Sequence, residues 1–97
     1  MITTDGINLL YRLIKSNLLK AQIALAAGTT IDVPIDRTEL SGNSIKIYAY
    51  VDEDAIGQIT KYRLISVDGK NFLERSENLS KDDRGLLVLF EIQLQEV

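Results

Sequence analysis

The sequence contains no cysteine and no histidine. Without cysteine there can be neither a disulfide framework nor a thiolate metal site. A small core that needs support must then find it elsewhere, and oligomerisation is the route left open. Without histidine, the commonest general base and the commonest metal ligand are lost together. Proline occurs once, at Pro34. No apolar stretch approaches the ~20 residues that span a bilayer. Asp5, Asn8, Arg12 and Lys15 interrupt the N-terminal segment too often for the apolar run of a secretory signal. We therefore expect a chain made and folded in the cytoplasm, with no membrane insertion. The 11 Lys and Arg residues are scattered among 14 Asp and Glu, for a net charge of −3. That leaves no basic stripe to displace counterions from phosphates, so a nucleic-acid partner is not expected.

What is present is ordinary globular composition, 45% hydrophobic and 26% charged over 97 residues. This length supports one core and therefore a single domain over 1–97. Thr3-Thr4-Asp5-Gly6 offers several N-caps, with Asp5 favourable in sign at a helix start. From there Ile7, Leu10, Tyr11, Ile14 and Leu18 recur at three- and four-residue steps, which predicts an amphipathic helix over about 5–19. Leu9 and Leu13 widen the apolar arc to roughly 200°, about twice what packing on one sheet requires. The helix either packs on its own sheet alone or makes a second contact with another chain.

After Lys20 the period changes to two. Alternation predicts strands over 21–26 and 30–35, the second irregular or at an edge because Pro34 cannot donate to a ladder. Ile45, Ile47, Ala49 and Val51 alternate with Lys46, Tyr48, Tyr50 and Asp52 in the clearest strand, 44–52. A strand over 58–67 alternates less cleanly, which suggests a bulge or burial on both faces. Asp68-Gly69 predicts a hairpin with a type I′ turn leading into 71–75. Residues 76–85, dense in Ser, Asn, Asp and Lys, read as an exposed loop. The last strand, 86–95, is apolar on both faces in its first half, so its start should be central in a sheet. The expected fold is α+β: one N-terminal amphipathic helix packed on an antiparallel sheet of about six strands.

Candidate chemistry is sparse. Asp52-Glu53-Asp54 is the densest carboxylate group, but three adjacent acids cannot supply the six to eight oxygens calcium takes. A solvated hairpin tip accounts for them, and the same holds for Asp82-Asp83. Gly28-Thr29-Thr30 and Asp68-Gly69-Lys70 are turn sequences, too short and isolated to cradle a phosphate. Tyr48 and Tyr50 share a strand face with Lys46, which fits either an aromatic ligand platform or ordinary cross-strand packing. We expect no catalytic residue, no cofactor and no metal.

From Asn43 onward the order of features resembles the N-terminal domains of phage tail-collar fibres. The segment Ser44-Ile45-Lys46-Ile47-Tyr48-Ala49-Tyr50-Val51 matches their alternating aliphatic strand. Gly57-Gln58-Ile59-Thr60-Lys61-Tyr62-Arg63-Leu64-Ile65-Ser66-Val67-Asp68-Gly69 matches the following strand and its aspartate–glycine turn. Asn71 to Arg75, Lys81 and Leu86 to Leu94 continue the pattern, and Thr3 to Leu19 with Ala21 to Gly28 fit its front. Arg63 and Ile65 stand where those domains usually carry an acidic residue and a glycine.

The resemblance implies a structural protein of a phage tail, baseplate or phage-derived particle. Because the chain stops at Val97 without a shaft, an adaptor or fibre-attachment module is expected rather than a fibre. The implied partners are sister chains in a homo-oligomer and other tail, baseplate or fibre proteins, with the assembled protein located in the particle. The candidate interface is Ile7, Leu9, Leu10, Leu13 and Ile14 on the helix, with Tyr48 and Tyr50 on the sheet. The alternative is a small cytoplasmic protein-binding or regulatory module unrelated to phage.

Overall fold

The computed structural model describes residues 1–96; the last residue of the expected domain, Val97, lies outside the described residues. Helix α1, Thr4–Asn17, begins as its capping residues require: the Thr3 hydroxyl accepts from the Gly6 amide at 3.1 Å, and Asp5 sits in the first turn. It ends two residues before the expected boundary. Asn17 donates its side-chain amide to the Leu13 carbonyl at 2.7 Å, while its own carbonyl accepts from the Val67 amide at 2.9 Å. With that carbonyl taken by another element the helix cannot propagate, and Leu18 turns extended.

Seven strands follow: β1 Leu18–Leu25, β2 Thr30–Val33, β3 Ile35–Ser41, β4 Ser44–Val51, β5 Gly57–Ser66, β6 Asn71–Lys81 and β7 Leu86–Gln93. They form two antiparallel sheets, β2-β1-β5-β6 and β3-β4-β7, rather than one sheet of about six strands. The extra strand arises at Pro34. This residue has no amide to give to a ladder, so the expected strand 30–35 divides there. Val33 stays with β1 in the first sheet and Ile35 opens β3 opposite Ala49 in the second.

Two further expectations are corrected. Residues 76–81, read as loop, extend β6 against β5. Because β6 is an edge strand, only Leu73, Leu79 and Lys81 are withdrawn from solvent, and polar residues fill the exposed positions without cost. The Asp68-Gly69 hairpin exists, but its turn is not type I′, since Asp68 does not have positive φ. Gly69 alone does, at φ 81°, with Gly69 N bonded to Ser66 O and Ser66 N to Lys70 O, both 2.9 Å. That is a three-residue loop ending in a glycine bulge.

The sandwich core is built from the inward positions of both sheets. Ile45, Ile47, Ala49 and Val51 of β4 are all 1% exposed or less. Facing them are Ala21 and Ile23 of β1, and Ile59, Tyr62 and Leu64 of β5, all buried. Each large aliphatic among them contributes about 1.5–3 kcal/mol through burial. Leu64 and Ile65 are both buried, and one extra residue in each neighbouring strand, Leu19 and Phe72, accommodates this, so the expected irregularity of β5 is present.

Tyr62 and Phe90 meet edge to face across the two sheets, with centroids 6.3 Å apart. The Arg75 guanidinium lies over both rings, at 5.1 and 5.2 Å, and donates to the Leu89 carbonyl at 2.9 Å. It bridges β6 to β7 where no ladder joins them. Strand β7, expected to start as a central strand, stands at a sheet edge with β4 as its single ladder partner.

Helix α1 packs on the inward side of the three-stranded sheet, where the Tyr11 hydroxyl meets Thr38 Oγ1 at 3.0 Å. Tyr11, Ile14 and Leu18 touch the core, yet no residue of the helix is fully buried. Among the described residues no helix is long and apolar enough to cross a membrane.

Candidate protein-interaction surface

Alternation along β4 turns Lys46, Tyr48 and Tyr50 away from the core. On β7 the same rule turns out Leu87, Leu89 and Glu91. The antiparallel register sets these residues side by side, pairing Lys46 with Glu91, Tyr48 with Leu89 and Tyr50 with Leu87. The outer face of the three-stranded sheet thus carries two tyrosines against two leucines. Leu87 is 52% exposed, Leu89 38% and Tyr50 42%. Tyr48 is half-buried, because the Arg37 guanidinium from β3 covers its ring at 4.3 Å.

Tyr50 is held from three directions. Its hydroxyl donates to Glu53 at 2.8 Å, which raises the tyrosine pKa and lowers that of Glu53. Leu87 is its cross-strand partner, and its tip rests on Gly85, where an added Cβ would fall 1.9 Å from the hydroxyl oxygen. Gly85 therefore leaves the space the tyrosine tip occupies. Behind this edge the ammonium of Lys81, only 6% exposed, donates to the carbonyls of Asp52, Ala55 and Asp82, at 2.7, 2.5 and 3.0 Å. Lys81 so fixes the acidic reversal 52–56, and Tyr50 with it, to the end of β6.

The seven residues expected to form one interface fall in two places. Ile7, Leu10 and Ile14 are half-buried, with Ile14 packed against the core. Leu9 and Leu13, each 49% exposed, project from the helix. Tyr48 and Tyr50 lie on the opposite side of the three-stranded sheet from α1, so the structure does not bring helix and tyrosines together. Leu87 and Leu89 carry no local signal as surface residues, because a run apolar at successive positions reads equally as a strand covered on both faces. Their partnership with the tyrosines is a matter of register, which no local pattern states.

A second group of exposed apolar residues gathers where α1 meets the β5–β6 hairpin: Leu19, Val67 and Phe72. Leu19 and Phe72 are the two bulged residues beside Ile65, pushed outward because their strands carry one residue too many.

The outer face of the four-stranded sheet is polar and internally paired. One row crosses all four strands, with Lys20 and Gln22 on Asp32 at 2.7 and 3.1 Å, Arg63 on Gln22 at 3.2 Å, and Arg63 on Glu74 at 2.7 Å. These bonds lower the pKa of Asp32 and of Glu74. Among the described residues no three carboxylates gather in an arrangement that could hold a metal. A groove of about 560 Å³ runs between Lys15, Leu18 and Leu19 on one side and Pro34 to Thr38 on the other. Comparison with protein-family models, with curated proteins and with solved structures produced no match.

Proposed function

We propose that this chain is a structural module that works by protein–protein contact, as an adaptor or fibre-attachment unit of a phage tail, baseplate or phage-derived particle, and that it assembles with copies of itself. The observation that carries this reading is the outer face of the β3-β4-β7 sheet, where Tyr50, Leu87 and Leu89 stand exposed side by side beside Tyr48. Exposed leucines paired with aromatics on a rigid sheet are suited to bury against a partner, since aromatic anchors with apolar surroundings dominate interface energetics. The similarity of residues 44–69 to tail-collar domains supplies the setting.

The test is compositional. Particles purified from cells that produce the phage or phage-derived structure should contain this chain at a fixed ratio to the tail proteins. A Leu87→Lys substitution should deplete it from them. Particles lacking the chain altogether, with the protein remaining free in the supernatant, would rule the setting out.

A further inference from the structure

The first half of β7, Leu86-Leu87-Val88-Leu89-Phe90, is apolar on both faces, so Leu87 and Leu89 stand exposed on the outer face beside an edge with no charged residue among these five. In the fold it has one neighbour. The other sheet edges are protected in recognisable ways. Strand β2 is four residues long and closed by Pro34. Strand β3 has a register break at Asp36 and an Arg37–Glu39 ion pair at 3.2 Å. Strand β6 carries two register breaks and the charged residues Glu74, Arg75 and Glu77. Strand β7 has an unbroken register from Leu86 to Gln93 and neither proline nor lysine.

Two hydrogen bonds orient its backbone. Leu94 N donates to Asn43 O at 2.8 Å, toward β4, whereas Leu89 O accepts from Arg75, away from β4. In an antiparallel strand alternate residues direct both polar groups to the same side. Leu87 and Leu89 therefore present their amides to the free edge, and Val88 and Phe90 bond to β4.

We propose that β7 pairs antiparallel with β7 of a second copy about a two-fold axis at Val88. This rests on the self-assembly part of the functional reading and names its contact. In that register Leu87 of each copy forms the hydrogen-bonded pair with Leu89 of the other, Leu86 stands opposite Phe90, and Val88 opposite Val88. Every one of these pairs is apolar, which identifies the occupant as a second copy: the five-residue run is complementary to its own reverse. The two three-stranded sheets become one, and Tyr48, Tyr50, Leu87 and Leu89 of both copies join into a single stripe. Arg75 leaves the Leu89 carbonyl to admit the new amide. Glu91 falls just beyond the paired run and ends it.

The absence of cysteine makes the test direct. Val88 would meet its symmetry mate in a non-hydrogen-bonded pair with Cα atoms about 4.5 Å apart, within disulfide reach. A Val88→Cys variant of the full chain should become a covalent dimer on mild oxidation. Sedimentation of the unmodified chain should show a monomer–dimer equilibrium across the micromolar range. Leu87→Pro removes an amide that β4 does not use, and should weaken association at least tenfold with cooperative thermal unfolding retained. If that variant does not fold, Leu87→Lys reads the same contact by placing a charge against Leu89 of the other copy.

A monomer throughout the micromolar range, with Val88→Cys uncrosslinked, would overturn the proposal. So would an oligomer that neither Leu87 variant weakens and Val88→Cys does not trap. The second result would leave self-assembly standing with its contact elsewhere. Whether the chain belongs to a particle is decided independently by particle composition.

Discussion

Replacing Lys81 with methionine isolates the contribution of the ammonium, because the aliphatic stem keeps its length and packing. The ammonium donates to three carbonyls while only 6% exposed. A hydrogen bond to a charged group contributes about 1.5–3 kcal/mol net, so three of them set a ceiling of roughly 4.5–9 kcal/mol. Against this, burying an ammonium costs several kcal/mol, a penalty the methionine variant no longer carries. The orphaned carbonyls of Asp52 and Asp82 lie in exposed turns, where water can replace the lost donor.

The balance is a net loss of about 2–3 kcal/mol, or a fall in Tm of roughly 10–20 °C for a domain of this length. Thermal unfolding followed by circular dichroism measures it. A Lys81→Arg variant should not restore the loss, since a planar guanidinium cannot converge its donors on three carbonyls as a tetrahedral ammonium does. A Tm for Lys81→Met within 3 °C of the unsubstituted protein, or above it, would refute the reasoning that Lys81 pins the 52–56 reversal.

Three further outcomes are expected. Gly85→Ala should displace the Tyr50 ring, break its bond to Glu53 and lower Tm. In a double-mutant cycle that loss should vanish once Tyr50 is alanine. Tyr11→Phe should lower stability by about 0.5–1.5 kcal/mol in urea unfolding, through loss of the bond to Thr38 that attaches α1 to β3. Stability should fall as pH drops through the acid range. Asp82 is held down to about 2 by Arg84, and Asp32, Glu53, Asp68 and Glu74 are lowered by hydrogen bonds from Lys20, Tyr50, Ser66 and Arg63. Depressed carboxyls contribute stability that is present above their unfolded pKa near 4 and lost as they protonate below it. Tm should therefore fall between about pH 4 and pH 2. Burial raises Tyr62 and the bond to Glu53 raises Tyr50, so a second loss should begin as pH rises past about 10.

Much of the fold was legible in the sequence wherever one face meets the core and the other meets solvent. Strands β1, β4 and β5 and the helix follow from period and capping, because burial there selects residue type at every second or third position. Strand β3 escaped notice because its inward position Thr38 is polar, satisfied by a tyrosine 27 residues away. The second half of β6 escaped because an edge strand asks little of its outward residues. The candidate surface was legible in half. Tyr48 and Tyr50 stood out by type, whereas Leu87 and Leu89 acquire their role from pairing with β4, a relation between distant segments. Leu9 and Leu13, which widen the apolar arc of α1, remain half-exposed. That arc does not adjoin the tyrosines, because α1 packs on the inward side of the three-stranded sheet and Tyr48 and Tyr50 face outward.

The pairing of β4 with β7 joins Ser44 to Gln93 and Val51 to Leu86, so a strand that gives the core Ile45, Ile47, Ala49 and Val51 waits for the last strand in chain order. Contacts this distant in sequence slow folding, because loop-closure entropy is spent before the pairing compensates it. During synthesis β4 holds β3 on one side and an open ladder on the other until β7 emerges. Two chains that complete β7 on neighbouring ribosomes present each other with both an open β4 ladder and the strand that fills it. Exchange of β7 between them would give an intertwined dimer whose separation requires unfolding, and the rate of chain completion relative to β7 docking would set how much of the protein is trapped in that form.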